Sequence, residues 1–234
     1  MAALFARGPW YELFAALGLI AALILARSRL QKAGVDGRTE TRAILSAVAA
    51  FGAGACVSNI ANWFFFPDLL ALPLLRRIGE AGLTFYPGMI AAVGLTALLW
   101  RLSGVPRETF GDCVAAFPLF HGIARIGCVL TGCCYGIPLG SGDLRFPSAA
   151  VEAAFCLLLA LWLLRKRPAR PCLCYFTLYP VYRFFAEFLR GDDRGRLFPL
   201  PLSVSQQISL IILISVALYL GARTFRHRRK ETDL

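Results

Sequence analysis

The chain has 234 residues, of which 58% are hydrophobic and 17% are charged, and its formal net charge is +11. Soluble domains usually contain about 45–50% apolar residues, so this composition excludes an ordinary soluble domain. The mean hydropathy of +0.63 fits a membrane protein instead. The positive charge does not indicate a nucleic-acid groove, because the basic residues cluster at the ends of apolar segments and form no stripe with aromatic residues.

Seven apolar segments follow one another along the chain and predict an all-α bundle of about seven transmembrane helices. A transmembrane helix needs about 20 mostly apolar residues. We interpret residues 1–234 as a single integral membrane domain. The segments are Pro9–Ala26, Ala43–Phe66, Gly82–Trp100, Cys113–Leu130, Ala149–Leu164, Cys172–Leu189 and Leu202–Gly221.

The fourth segment contains glycines at positions 122 and 127, and two more follow at 132 and 136. We expect this segment to unwind or re-enter the membrane at these glycines. Irregular backbone at membrane depth is tolerated only where it lines a protein cavity. The fourth segment is therefore predicted to border a cavity.

Lysine and arginine are unevenly distributed between alternate loops. The first, third and fifth loops and the C-terminal tail are rich in them, and the intervening loops contain fewer. Basic loops remain on the cytoplasmic side of the membrane. With seven spans, this distribution predicts an external N-terminus and a cytoplasmic C-terminus.

Two arginines, Arg125 and Arg183, lie inside apolar segments. A charge near the bilayer centre costs at least about 2.5–3.5 kcal/mol, so each needs a partner or a function. Glu187 and Arg190 follow Arg183 at spacings that favour one helical face. Glycines beside Arg125 let backbone N–H groups approach a ligand, and a guanidinium binds phosphate through two nitrogens. A phosphodiester headgroup between the two segments would supply the missing anion, which predicts a phospholipid site.

Structural roles are the alternative for both arginines. Arg183 and Glu187 would then form an intrahelical ion pair that neutralises both charges for insertion. Arg125 would bind backbone carbonyls where the fourth segment breaks.

Other polar and thiol side chains near Arg125 are ambiguous. His121 is either a general base or a structural hydrogen-bonding residue, and the second interpretation is favoured. Cys128, Cys133 and Cys134 have a spacing that is weak for a zinc site, which usually has paired cysteines. Packing of small residues is favoured there, so the sequence predicts no metal and no cofactor.

The run ARIGCVLTGCCYG, from Ala124, resembles the signature of the prolipoprotein diacylglyceryl transferase family, G-R-x-G-N-F-x-N-G-E-x-x-G. The identical positions are Arg125, Gly127, Gly132 and Gly136. The substituted positions are Ala124, Cys128, Thr131 and Cys133, which replace a Gly, two Asn and a Glu.

A second run, YPVYRFFAEFLRGDD from Tyr179, is similar to the family's Y-G-x-x-R-x-x-x-E-F-x-R-x-x-D motif. It places Arg183, Glu187 and Arg190 on the charged positions of that motif. The run WYELF is similar to the N-terminal W-Y-G-L-M and places Tyr11 on its tyrosine.

Two further runs continue the resemblance towards the C-terminus. FPSAAVEA is similar to H-P-S-Q-L-Y-E-A and contains Glu152. LSVSQQIS is similar to the S-x-G-Q pattern of the seventh helix through Ser203 and Gln206. The motifs occur in the family's order over nearly the whole chain, and this order makes the resemblance specific.

The resemblance implies a seven-helix, multi-pass enzyme of the bacterial cytoplasmic (inner) membrane that takes part in lipoprotein biosynthesis. Family members transfer the diacylglyceryl group of phosphatidylglycerol to the thiol of a lipobox cysteine in a prolipoprotein, and glycerol phosphate is released. The implied partners are phosphatidylglycerol, the lipobox peptide and membrane lipids, and no nucleic acid is implied.

The resemblance also implies roles for individual residues. Arg125 and Arg183 are expected to hold the phosphate and stabilise charge on the leaving group. Tyr86 and Tyr11 are the other expected catalytic residues. The expected substrate-binding residues are Gly127, Thr131, Gly132, Gly136, Glu152, Glu187 and Arg190.

Some family features are replaced in this chain. Tyr86 and Pro87 stand where the family's H-G-G-L motif has its histidine and a glycine, and the stretch between Gly136 and Pro147 is short. A tyrosine with a pKa of about 10 is a poor base unless a nearby cation, such as Arg125, lowers that pKa. Two alternatives therefore remain: a related transferase with another acceptor, or a non-catalytic phospholipid-binding protein.

Overall fold

A computed structural model describes residues 9–192, 195 and 197–232 of the chain. Regular structure in these residues is α-helical, with short 3-10 turns at 67–71 and 187–189. The helices are α1 (Trp10–Lys32), α2 (Gly37–Phe65), α3 (Leu74–Ala81), α4 (Phe85–Leu102), α5 (Arg107–Cys113), α6 (Ala116–Thr131), α7 (Ser148–Lys166), α8 (Pro171–Ala186) and α9 (Val204–Thr232).

Six helical stretches of the described chain are long and apolar enough to cross a membrane. They are α1, α2, α4, the combined stretch Arg107–Thr131, α7, and Val204–Phe225 of α9. Large apolar side chains on their outer faces are exposed, as lipid contact requires. The prediction of an all-α membrane bundle is confirmed. Helix α8 covers the sixth predicted segment but has only 16 residues, so the count of seven spans and the orientation stay predictions.

The fourth predicted segment does not break at its first two glycines. Helix α6 continues through Gly122 and Gly127 and ends at Gly132, which adopts a left-handed conformation with φ of 68°. The expected unwinding at the first two glycines is wrong because both serve close helix packing. A Cβ at position 127 would lie 2.8 Å from the carbonyl oxygen of Trp10 in α1. Small residues let membrane helices approach each other in this way.

Helix α6 is the centre of the bundle, with α1 on one side and α7 on the other. Helices α2 and α4 form a second close pair, in which a Cβ at Gly54 would lie 2.6 Å from the carbonyl oxygen of Gly88. Helices α8 and α9 form a third pair. The candidate site lies where the ends of α6 and α8 meet the start of α7.

A short backbone clamp holds these three ends together. The amide of Gly136 donates to the carbonyl of Phe146 at 3.0 Å, and the amide of Ile137 donates to the carbonyl of Leu189 at 3.0 Å. The amide of Gly191 donates to the carbonyl of Tyr135 at 3.1 Å. A Cβ at Gly136 would lie 2.5 Å from the Phe146 carbonyl oxygen, so this approach requires glycine.

The helical face predicted to carry Arg183, Glu187 and Arg190 is interrupted. Helix α8 ends at Ala186, a 3-10 turn covers the next three residues, and Arg190 is extended with ψ of 142°. The expectation of one continuous helix through Arg190 is therefore wrong. The turn nevertheless leaves all three side chains buried in the same region.

Candidate functional site

Glu152, in the second turn of α7, is the centre of a buried polar cluster and is only 1% exposed. Its Oε2 atom lies 2.9 Å from Nη2 of Arg125 and 3.3 Å from Nη1 of Arg183. Nη1 of Arg190 lies 3.8 Å from the same oxygen, and the Tyr179 hydroxyl donates to Oε1 at 3.0 Å. A buried carboxylate needs such partners because burial without them is costly. One carboxylate thus joins arginines from three segments of the chain.

Arg183 has partners on two other elements besides α7. Its Nη2 lies 2.6 Å from Oε2 of Glu187 and donates to Oγ of Ser205 at 3.2 Å. The intrahelical ion pair of the structural alternative is therefore present. It coexists with the Glu152 contact, because a guanidinium carries five N–H donors.

Arg190 binds Asp192 through two parallel hydrogen bonds. Nε and Nη2 donate to the two carboxylate oxygens at 2.8 and 2.7 Å. Burial raises the pKa of Asp192, and the charge of Arg190 opposes that increase. The third nitrogen, Nη1 of Arg190, is buried and has no hydrogen bond within the described residues. This arginine is thus held firmly and retains a donor.

A cavity of about 240 Å³ lies beside the cluster, between α7 and α8. Its wall combines charged and polar side chains with apolar and aromatic ones. Such a cavity suits a ligand with a charged head and an apolar body. The lining residues are Phe146, Ser148, Val151, Glu152, Tyr182, Arg183, Phe185, Ala186, Leu189 and Arg190.

The two intramembrane arginines already have a protein anion. Arg125 and Arg183 both pair with Glu152, so the expectation that only a ligand would supply their anion is wrong. Both arginines converge on Glu152, and Glu152 and Arg183 line the cavity. Glu152 reaches both arginines because α7 packs against α6 and its first turns adjoin the end of α8.

His121 packs behind the Glu152 carboxylate. Its ring stacks on Phe85 with centroids 3.8 Å apart, and Nδ1 lies 3.5 Å from Sγ of Cys156. Its Nε2 lies 3.6 Å from Oε1 of Glu152, which is beyond a direct hydrogen bond. These contacts are those of a buried structural histidine.

The two candidate tyrosines contact different residues around the cluster. The Tyr86 hydroxyl is 2.7 Å from Oγ of Ser209, and its ring centroid is 5.8 Å from that of Tyr179. Tyr86 is therefore one aromatic layer away from Glu152. Tyr11, in the first turn of α1, lies where α1 crosses Gly127, at the Arg125 end of the cluster.

Arg125 also contacts thiols at the end of α6. Its Nη1 donates to Sγ of Cys134 at 3.2 Å and to Sγ of Cys128 at 3.7 Å. Hydrogen bonds from Cys128 and Cys133, together with the charges of Arg125 and Arg190, lower the pKa of the Cys134 thiol against the effect of burial. The cysteine spacing alone does not indicate this contact.

Five of the predicted residues meet in one cluster: Arg125, Glu152, Arg183, Glu187 and Arg190. The predicted glycines and Thr131 do not contact the cluster through charged groups; they shape the backbone around it. Gly127 contacts α1, Gly132 ends α6 and Gly136 belongs to the clamp. The Thr131 hydroxyl donates to the carbonyl of Gly127 at 3.1 Å.

Sequence reasoning did not assign Tyr179, Ser205 or Asp192 to the site. Tyr179 is one helical turn before Arg183, a spacing that places both side chains on one face of α8. Asp192 follows Arg190 closely in the same motif. These two spacings were usable signals, whereas Ser205 reaches Arg183 only through the packing of α9 against α8.

The fold and the site together define a multi-pass helical membrane protein with a buried arginine–carboxylate cluster beside a cavity lined by both charged and apolar residues. The chain belongs to the prolipoprotein diacylglyceryl transferase family, whose model matches residues 5–221. The family predicted from the motifs is thereby confirmed.

Curated relatives of similar length carry one consistent name. The chain is 29% identical to "Phosphatidylglycerol–prolipoprotein diacylglyceryl transferase 2" of Clostridium perfringens, over 95% of this chain and 93% of that protein. It is 30% identical to the phosphatidylglycerol–prolipoprotein diacylglyceryl transferase of Clostridium tetani, over 87% and 88%. It is 29% identical to the enzyme of that name from Dehalococcoides mccartyi, over 96% and 92%.

Proposed function

We propose that this chain transfers the diacylglyceryl group of phosphatidylglycerol to the thiol of a prolipoprotein lipobox cysteine. Arg183, Arg190 and Glu152 line a cavity whose other walls are largely apolar and aromatic, and this observation carries the proposal. Arg125 joins them through its ion pair with Glu152. Family membership and the names of the relatives support it. The reaction is that of a phospholipid-dependent transferase in the bacterial inner membrane.

The chemistry is a displacement at a glycerol carbon. The lipobox sulfur forms a C–S bond to the carbon of diacylglycerol that carries the phosphate, and the C–O bond to phosphate breaks. The bonding electrons leave with glycerol phosphate, and the proton of the thiol passes to a base. The protein must therefore bind the phosphate, stabilise the leaving group and accept a proton.

The arginines suit the first two tasks. Arg125 and Arg183 each place one nitrogen on Glu152, and further N–H groups of the five that a guanidinium carries remain for a phosphate. Nε of Arg125 and Nη1 of Arg190 are buried and make no hydrogen bond within the described residues. Donors that are fixed before the reaction stabilise developing charge without the cost of reorganisation. In this proposal Glu152 and Glu187 orient the arginines.

Tyr86 and Tyr11 are the proposed catalytic tyrosines. Tyr86 takes the place of the family's histidine and borders Tyr179, which binds Glu152. Tyr11 lies at the Arg125 end of the cluster. The glycines and Thr131 named above would support the headgroup indirectly, because they shape the end of α6 and the clamp.

The test uses the purified full chain in nanodiscs that contain phosphatidylglycerol. A fluorescent lipobox peptide should acquire a diacylglyceryl group, seen as a gel or chromatographic shift, and glycerol phosphate should appear in equal amount. A peptide with serine in place of the lipobox cysteine is the matched control.

Each other outcome has a defined meaning. If glycerol phosphate is released only with a different acceptor, the lipobox peptide is not the acceptor. The proposal that phosphatidylglycerol is the donor would still hold. Phospholipid binding with no turnover for any thiol or hydroxyl acceptor would refute the enzymatic proposal.

A further inference from the structure

Three cysteines form a compact group of thiols at the end of α6, outside the cavity of the proposed function. The sulfur atoms of Cys128, Cys133 and Cys134 all lie within 4.8 Å of one another. Cys128 is buried in the last turns of α6, whereas Cys133 is exposed. The chain reverses at Gly132, and Cys134 has φ of 60°, so the two later cysteines fold back over the helix end.

We propose that these three cysteines bind a thiophilic divalent cation of the Zn²⁺ class as thiolates. Zn–S bonds of about 2.3 Å place two sulfurs of one tetrahedral ion roughly 3.8 Å apart. The present separations of at most 4.8 Å differ from that by about 1 Å or less. The exposed side of Cys133 offers a route from solvent and an open fourth position for water.

The charge of the surroundings suits such a complex. Three thiolates and a divalent cation carry a net charge of −1, and the guanidinium of Arg125 lies next to them. Its Nη1 lies 3.2 Å from Sγ of Cys134 and 3.7 Å from Sγ of Cys128. The Thr131 hydroxyl lies 3.3 Å from Sγ of Cys133. Donors of this kind orient the ligands of a metal and tune its affinity.

Packing of small residues does not account for this arrangement. Small-residue packing would bury all three side chains, yet Cys133 is exposed and its sulfur still lies next to the other two. The segment that carries the thiols also contains two residues with positive φ, Gly132 and Cys134. A positive φ at a non-glycine residue such as Cys134 is unfavourable unless surrounding contacts maintain it.

The site would also fix the orientation of Arg125. The same guanidinium binds thiols through Nη1 and Glu152 through Nη2, 2.9 Å from Oε2. A metal held by the thiols would restrain the rotation of this side chain. The cation site thus adjoins the arginine cluster, but its existence does not depend on the transferase reaction.

The first experiment titrates purified, reduced and metal-free full chain with Cd²⁺ and follows the thiolate-to-metal charge-transfer absorption. One equivalent should bind, and Zn²⁺ should displace it. Cys128→Ser, Cys133→Ser and Cys134→Ser should each weaken binding by at least about tenfold. Cys172→Ser and Cys174→Ser, at the start of α8, are the matched controls and should bind as wild type does.

A second measurement uses the wild-type chain alone, because the Cys128 variant alters a buried residue. Zn²⁺ should slow alkylation of the exposed Cys133 by a maleimide, and a chelator should restore the rate. Unchanged alkylation, or Cd²⁺ absorption that persists in the triple serine variant, would overturn the proposal. A Cys133–Cys134 disulfide with no metal binding after its reduction would do the same.

Discussion

One oxygen of Glu152 lies 2.9 Å from Nη2 of Arg125 and 3.3 Å from Nη1 of Arg183. A carboxylate from α7 therefore fixes the distance between arginines on α6 and α8. Because all three side chains are buried, their charges interact in a medium of low polarity and are screened little by salt. Their mutual orientation is consequently a property of the folded bundle.

Removal of the Glu152 carboxylate should strongly destabilise the protein. Glu152→Ala leaves Arg125 and Arg183 buried without their shared anion, and such a loss costs about 3–5 kcal/mol. Thermal denaturation in detergent should show a clear decrease in Tm. Glu80→Gln is the control, because the Arg76–Glu80 pair is 4.0 Å apart and largely exposed. Equal Tm values for the two variants would argue against Glu152 as the centre of the cluster.

Substitution of Arg183 by lysine should abolish most of the transferase activity and preserve the fold. The guanidinium contacts Glu152, Glu187 and Ser205 at once, and a single ammonium group cannot reproduce that geometry. Loss of a preorganised donor of this kind lowers kcat by about 10²–10³.

The lipobox-peptide assay measures the effect of that substitution. Arg76→Lys provides the exposed control and should leave kcat unchanged. Wild-type kcat in Arg183→Lys would exclude a role for the guanidinium fork in the chemical step.

The membrane helices and most of the charged cluster can be predicted from the sequence. Long apolar runs can bury their backbone polar groups in lipid only as helices, so α1, α2 and α7 follow directly from composition. An arginine inside such a run needs a partner or a function, and for this reason the sequence alone singles out Arg125 and Arg183.

The remaining features depend on contacts between distant parts of the chain. Nothing in the local sequence around Glu152 indicates that it pairs with Arg125 and Arg183. Gly127 suggests a break because a glycine that weakens a helix and one that admits a neighbouring helix look the same in sequence. Only the position of α1 distinguishes them.

A larger residue at position 127 should weaken the contact between α1 and α6. A Cβ there would lie 2.8 Å from the Trp10 carbonyl oxygen and 2.9 Å from Cα of Tyr11. Gly127→Ala should destabilise the chain by about 1–3 kcal/mol, the usual cost of overpacking. Gly94→Ala in α4 is the matched control, since a Cβ there has no heavy atom within 4 Å and alanine favours a helix. A stability above wild type for Gly127→Ala would contradict this packing.

The start of α2 should respond to pH through Asp36. Its Oδ1 accepts hydrogen bonds from the amides of Arg38 and Thr39 at 3.0 and 3.1 Å, and the bonds to Thr39 are the main cause of its lowered pKa. A group with a lowered folded-state pKa stabilises the fold above its unfolded-state pKa, and that contribution is lost as pH falls through the folded-state value.

This contribution is isolated by comparing the Tm of wild type with the Tm of Asp36→Ala from neutral to acidic pH. Asp36→Ala should have the lower Tm at neutral pH, and the difference should shrink in acid. Asp36→Asn keeps a helix-capping side chain and should remove the pH dependence. A Tm difference that is constant from neutral to acidic pH would rule out the ionised carboxylate as the source of the cap.

Tyr86 offers a test of the proposed proton transfer. Its hydroxyl lies 2.7 Å from Oγ of Ser209, so Tyr86→Phe and Ser209→Ala each remove one partner of the same hydrogen bond. Both should change stability by about 1 kcal/mol, the usual value for one buried hydrogen bond. Only Tyr86→Phe should lower kcat, by about 10²–10⁴, if its hydroxyl takes part in proton transfer.

Tyr86→His should retain activity and shift its pH optimum towards neutrality, since an imidazole titrates near pH 6.5. Equal kcat values for Tyr86→Phe and Ser209→Ala would show that Tyr86 has only a packing role. Another side chain would then be the base.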